Sequence, residues 1–307
     1  MQINCKKSIR ILIWMFFFIF LTKPTSPKQM KKNTLLLLLL LSITLSFAQK
    51  REKIKGTKIV TVTQKEIGNF ETLEVEDNLE IFLVKGEKSA IEIEADENLH
   101  SVINIGLNGT ALRLTTAKEV SGFKKLSVKV TYTDNFKVVI AKHEASVTAV
   151  SDLDLANFTF KAFDYAKIFA NVKTKSFTLM ANDKSKIELN LKSDNATIEL
   201  SKNAYLKALV TAPKFKLDLY QKSIALIEGD VTEFKLRVDN FSNFTGKNLT
   251  AKNAEIITEG HTVCAVNVVN QAVVEASGES EIHFYGDAKI ELKKFAENTV
   301  IMKKSLK

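Results

Sequence analysis

From Phe158 onward the chain repeats itself every 18 to 20 residues. Copies begin at Phe158, Phe177, Ala196, Phe215, Phe234, Ala254, Ala272 and Ile290, at spacings of 19, 19, 19, 19, 20, 18 and 18. Each copy is a run of Val, Ile, Leu, Phe and Thr in alternation with polar residues, a pattern that buries its apolar face only against a neighbouring copy. Counting each start as position 0, position +2 reads Phe160, Leu179, Ile198, Leu217, Leu236, Ile256, Val274 and Leu292, with no polar member. Position +10 reads Ile168, Ile187, Leu206, Ala225, Phe244, Cys264, Ile282 and Val300. Position +12 runs from Ala170 through Leu189, Ala208, Ile227, Gly246, Val266 and Phe284 to Met302. These columns face inward, and the residues between them, such as Glu188, face water, because strand side chains alternate with period two.

Between the two clusters lies a corner at +5 to +8: FDYA, NDKS, SKNA, YQKS, DNFS, EGHT and SGES. Its last residue is always small, so successive corners can stack. Asp164, Asp183, Asn240, Gly260 and Gly278 at +6 are turn formers. The object with these columns is all-β, a single-stranded parallel β-helix of about nine coils of 18–21 residues, the first a degenerate copy from Lys137. Its coils stack about 4.8 Å apart. Leucine-rich repeats share the period but need a repeated Asn and a helical segment that no copy has.

The text from Met30, MKKNTLLLLLLLSITLSFAQ, has the basic start, apolar run and small-residue ending of a secretory signal peptide, with cleavage after Ala48. Residues 1–29 carry a second, shorter apolar run and read as a start-site artefact. Residues 49–57 read as a basic tether without periodicity, and 58–307 as one β-helix domain: 58–136 a cap with irregular first strands, 137–307 the regular coils. Seven of the 44 Lys and Arg lie in residues 1–48, which hold no acid; beyond them 37 basic residues face 35 acidic ones, net +2 rather than +9. Overall charge therefore gives no argument for nucleic acid. The mature chain has no apolar run long enough for an integral membrane segment. Its one cysteine, Cys264, sits on an apolar column and reads as a buried, inert thiol.

The cap contains short alternating strands around Phe70, Leu73 and Val75, then Leu79, Ile81 and Leu83 before Gly86, then IEIEADENL, then Asn108-Gly109-Thr110, a strong hairpin signal, leading to Leu112 and Leu114. With the Ser277-Gly278-Glu279-Ser280 corner behind it, this pattern resembles the head GIN domain family, whose members are described as auto-transporter adhesins. The resemblance covers roughly residues 60 to 290. It implies a secreted or envelope protein with a β-helix-like fold and no assigned chemistry. The family's corners favour Ser-Gly and a small residue; Asp164, Asp183, Lys202, Gln221 and Asn240 replace that glycine here, so those corners are expected to turn differently.

The outward columns offer two candidate sites. Glu199, Asp218 and Arg237 at +3 fall on consecutive coils, where paired carboxylates could act as acid and base or hold a cation, or simply form a solvated charge ladder. Tyr205 and Ile224 at +9, Leu226 at +11, Leu209 at +13 and Tyr220 at the adjacent corner could form an exposed binding patch; a slip of register near Ala225 would instead turn some of them inward. His100, His143, His261 and His283 have no ligand spacing, so no metal and no cofactor are expected. The reading is an exported, non-enzymatic, adhesin-like scaffold for a glycan or an envelope protein, carried through the inner membrane to the periplasm, the surface or the medium. A carbohydrate-active lyase or hydrolase and a structural envelope component without ligand are the alternatives.

Overall fold

In the computed structural model, residues 51–305 are described, and the leader segments assigned to 1–29 and 30–48 lie outside them. The fold is nearly all-β, with 69% of its residues in strands and one short helix: about nine turns of a β-solenoid, not a barrel. The first strands are β1 (Lys53–Lys55), β2 (Val60–Glu66), β3 (Thr72–Val75), β4 (Glu80–Lys85), β5 (Ala90–Asp96), β6 (Ile103–Asn108), β7 (Ala111–Thr116), β8 (Glu119–Ser121) and β9 (Leu126–Tyr132), with a 3-10 turn at Glu97–Val102. They are followed by β10 (Val138–Ala141), β11 (Ser146–Ala149), β12 (Leu153–Ala162), β13 (Lys167–Ala181), β14 (Lys186–Leu200), β15 (Tyr205–Leu219), β16 (Ile224–Asp239), β17 (Asn243–Glu259), β18 (Thr262–Ala276), β19 (Ser280–Tyr285), β20 (Lys289–Phe295) and β21 (Val300–Lys303).

In the regular part each strand from β13 to β18 runs from +9 of one coil, or +8 in β18, round a gentle bend, to the end of the first cluster of the next. Only one sharp corner interrupts each turn. The +2 column is buried from Phe160 to Val274, and so is the +10 column from Ile168 to Ile282, Cys264 included, whose thiol burial pushes far above its usual pKa. Position 0 is inward too: Phe158, Phe177, Phe215 and Phe234 are buried with Ala196, Ala254 and Ala272. The last coil differs from expectation. Lys293 is an extra residue between Leu292, which pairs with Val274, and Lys294, which pairs with Glu275. Everything after it moves by one, so Ile301 and Lys303, not Val300 and Met302, continue the two columns. With no described strand beyond it, this coil leaves Leu292 and Val300 exposed.

The corners at Asp164, Asp183 and Lys202 correct a second expectation, whereas those at Gln221 and Asn240 do turn differently. Asp164, Asp183 and Lys202 have φ of 58°, 60° and 59°, in the same left-handed region as Gly260 at 76° and Gly278 at 81°. The position turns alike whatever residue fills it, because the hydrogen bond from +8 to +5, such as Ala166 N–H to Phe163 O at 3.0 Å, and the stack above and below impose it. A single positive φ at the first central residue is a type II′ turn; Gln221-Lys222 and Asn240-Phe241 have two in succession, the type I′ form. Side chains in this region cost about 1–2 kcal/mol relative to glycine. Lys202→Gly, which also loses an exposed ion pair with Asp183 at 2.6 Å, is therefore expected to raise stability by about 0.5 kcal/mol, measured by urea unfolding.

The cap stacks out of chain order. β3 and β4 pair in parallel with β7 and β9 on one side and with β10 and β11 on the other. The chain thus lays down one rung, travels out through β5 and β6, completes the rung beyond it, and crosses back to start the regular coils. β5 runs antiparallel to β9 and β2, and β6 to β7 in the hairpin expected at Asn108-Gly109, whose two-residue loop is Gly109-Thr110. Aromatic rings fill the crossing: Phe136 lies 5.5 Å from Phe70, 5.0 Å from Tyr132 and 5.4 Å from Phe158 between centroids, contacts worth about 0.5–1.5 kcal/mol each. Burial there pushes the Tyr132 hydroxyl up to about 12.

The tether expected at 49–57 is in part a strand. β1 pairs in parallel with β8, and Asn98 both accepts from Thr57 N–H at 3.0 Å and donates to Lys55 O at 2.8 Å. Next to it the buried Asp96 accepts backbone N–H groups of Lys58, Lys124 and Lys125. Burial alone would raise its pKa, but those three donors hold the carboxyl below its ordinary value.

Candidate functional site

The outward faces of the two strand clusters lie on either side of the corner, and the candidate residues divide between them. On the first face, Glu199 pairs in register with Asp218 and Asp218 with Arg237, the expected adjacency. Their partners, however, are lateral. Lys216 reaches Asp218 at 2.8 Å, and Arg237 reaches Asp239 at 3.5 Å and Glu259 at 3.4 Å. Asp218 is only 8% exposed, although its column faces outward. Tyr220 belongs here rather than with the apolar patch: Arg237 stands over its ring at 5.9 Å. Hydrogen bonding to Asp218 raises the Lys216 pKa, and burial, helped by the Asp218 charge, raises that of Tyr220. Both groups therefore keep their protons near neutral pH.

On the second face the register does not slip at Ala225, which is buried and pairs with Leu206. Tyr205 pairs with Ile224, and Leu209 and Ile224 are 48% and 38% exposed; Tyr205 and Leu226 are half-buried. Leu209 and Leu226 lie in an open groove of about 450 Å³ that runs across the strands. Two rows line it, Phe169, Glu188, Lys207 and Leu226 in one, Asn171, Asn190, Leu209 and Glu228 in the other. The inward column between the rows contains Ala170 and Ala208, small residues that let the wall dip. Phe169 shares the +11 column with the candidate Leu226 but lies three coils before it, and it is the one Phe, Tyr or Trp of that column in the regular coils.

The groove presents half-buried apolar side chains at both ends of one row, an acid and a base between them, and two amides alongside. That mixture can stack against an apolar ligand face while hydrogen-bonding its hydroxyls or amides. Among the described residues no three His, Cys, Asp or Glu side chains stand close enough to hold a metal ion, and no helix is long and apolar enough to cross a membrane. The histidines are held singly: His261 Nδ1 lies 2.8 Å from Glu279, His143 Nδ1 lies 3.4 Å from Asp77, His283 meets Glu281, and His100 meets Thr61 and Thr63.

No curated protein matches the chain. Solved structures do. A "putative adhesin" from Parabacteroides merdae is similar at a TM-score of 0.57 and 16% identity, over 83% of this chain and 100% of that one. A "putative adhesin" from Parabacteroides distasonis gives 0.57 and 15%, over 83% and 100%. A "putative lipid binding protein" from Parabacteroides distasonis gives 0.62 and 13%, over 82% and 99%. At such identities the likeness is one of fold alone. A family model described as "Putative auto-transporter adhesin, head GIN domain" matches residues 69–288, well over half the chain. By that match, with the cap and coils described above, the chain belongs to the head GIN domain family.

Proposed function

We propose that the protein is an exported, non-enzymatic binding scaffold that holds a glycan chain in the groove of the second face. The observation that carries this reading is the groove lining, Phe169, Leu209 and Leu226 set among Asn171, Asn190, Glu188 and Lys207. A pyranose offers an apolar face and a ring of hydroxyls, which suits that mixture. The groove crosses five strands, from Thr148 to Leu226, a span of about 19 Å at the strand spacing, room for three or four sugar residues. The first face favours binding over catalysis, since Asp218 is already taken by Lys216 and its neighbours keep their protons. Export rests on the signal-like segment from Met30.

The test is a screen of the chain from Gln49 onward against cell-surface and dietary glycans, with reducing-end release assayed in the same wells. Binding without release is expected. Leu209→Asp changes an exposed side chain, so it is expected to weaken binding at least tenfold with the melting temperature within about 2 °C of wild type. Undiminished binding by this variant would remove the groove from the reading. Release that disappears in Glu199→Gln or Asp218→Asn would make the protein an enzyme instead.

A further inference from the structure

The corner between the two faces carries a second feature, independent of the groove. Phe241 is 55% exposed, yet its backbone sits at φ 66° directly after Asn240 at 52°. The second central position of a type I′ turn is where glycine is favoured, and a bulky residue there is a true outlier. Strain and exposure together are a double cost that a single ring contact with His261 offsets only in part, which makes the residue a candidate for a role outside the fold.

Its surroundings say what kind of role. Four coils away along the same corner line, Tyr165 is 54% exposed, and Lys184, Lys202 and Lys222 project between them. Each aromatic ring meets a side chain of the next turn. His261 of the next turn lies on Phe241 at 4.8 Å and 19° between planes, and the Lys184 ammonium lies 5.2 Å from the Tyr165 ring centre and donates to its hydroxyl at 3.4 Å. The Phe241 face is thus turned along the ridge and covered on one side by His261. A sugar stacks on an open ring face, whereas a ring edge standing on a convex ridge enters an apolar phase. The lysines fit the same surroundings, since long cationic side chains reach headgroup phosphates while their stems stay in contact with apolar neighbours. Lys222 has no carboxylate partner among the described residues. The acids of the ridge are occupied: Asp183 by Lys202, Asp164 by the backbone N–H of His143, Asp239 and Glu259 by Arg237, and Glu279 by His261.

We propose that the ridge from Tyr165 to Phe241 docks on an anionic lipid surface, with Phe241 and Tyr165 entering the interface and Lys184 and Lys222 meeting the headgroups. Aromatic side chains favour such interfaces, and each lysine near an anionic leaflet adds to the attraction. The ridge and the groove lie on different parts of the surface, so neither proposal depends on the other.

The experiment is co-sedimentation of the chain from Gln49 onward, which holds every core residue of the described solenoid, with phosphatidylcholine vesicles made with and without phosphatidylglycerol. Binding is expected only with phosphatidylglycerol, and weaker at high salt. Phe241→Gly removes the ring and the strain together, so it is expected to bind about tenfold less while melting within about 2 °C of wild type. Lys222→Glu is expected to weaken binding without changing the fold. Equal binding to both vesicles, no binding to either, or full binding by Phe241→Gly overturns the proposal. Displacement by inorganic phosphate at constant ionic strength also overturns it, since that outcome belongs to a site for the free ion.

Discussion

Leu217→Asp is expected to prevent the solenoid from folding. Leu217 is fully buried on the +2 column, between Ile198 of the preceding rung and Leu236 of the following one. A carboxylate there has no cation and no backbone donor to meet, because the N–H groups on either side are already committed to the parallel ladder. Burying it costs several kcal/mol or forces it to take up a proton, and the leucine's own packing is lost as well. Those losses are comparable with the whole stability of a domain, about 5–15 kcal/mol. Position matters as much as magnitude. In a stack where each rung touches only its neighbours, a broken central rung leaves two shorter stacks, each with a raw end. Leu217→Ala should cost about 2–5 kcal/mol and still fold, with a melting temperature lower by roughly 10 °C. Circular dichroism and thermal melts of the two variants are the measurement. A Leu217→Asp protein melting within a degree of wild type would mean that the column faces outward.

Why Leu217 was legible and other features were not follows from what repeats. The inward columns recur once per turn, so each coil confirms the others, and the burial from Phe160 to Val274 could be read from letters alone. The cap has no repeat. Whether β3 pairs with β7, β10 or both depends on which strand edges remain free after the chain has travelled out and back, information spread over residues 72 to 141 and held by no local pattern. At the corners the residues at +6 differ while the backbone does not, because the neighbouring turns fix it; composition suggested diversity where the structure has one turn shape with a type I′ variant. The candidate residues were found as outward positions, but the corner divides Tyr220 from Leu209 and Leu226, and that division depends on how sharply the chain bends at +5 to +8. Phe241 stood in plain view within DNFS, where a turn-forming text hid a bulky side chain in a conformation meant for glycine.

Gly229→Ala is expected to cost about 3–5 kcal/mol, the second large effect. The coil that starts at Phe234 has 20 residues rather than 19, and the extra one is lodged in β17, where four residue steps from Thr245 to Leu249 face three from Leu226 to Gly229. β16 answers this bulge with Gly229 at φ 116°, a conformation that side chains rarely adopt. On its other side the backbone of Val210 comes so close that an added Cβ would lie 2.2 Å from the Val210 carbonyl oxygen and 3.1 Å from its nitrogen. That carbonyl belongs to a parallel ladder paired on both edges and cannot retreat without breaking hydrogen bonds to its neighbours. Alanine therefore meets both backbone strain and a clash with fixed atoms. Gly106→Ala is the control: a Cβ there meets nothing within 4 Å and the backbone is not left-handed, so stability should stay within about 0.5 kcal/mol of wild type or rise slightly. Urea unfolding of both variants decides the matter. If Gly229→Ala lost less than about 1 kcal/mol, the irregular 20-residue turn would have to be absorbed elsewhere on the coil, and the groove that ends at Leu226 and Glu228 would change shape with it.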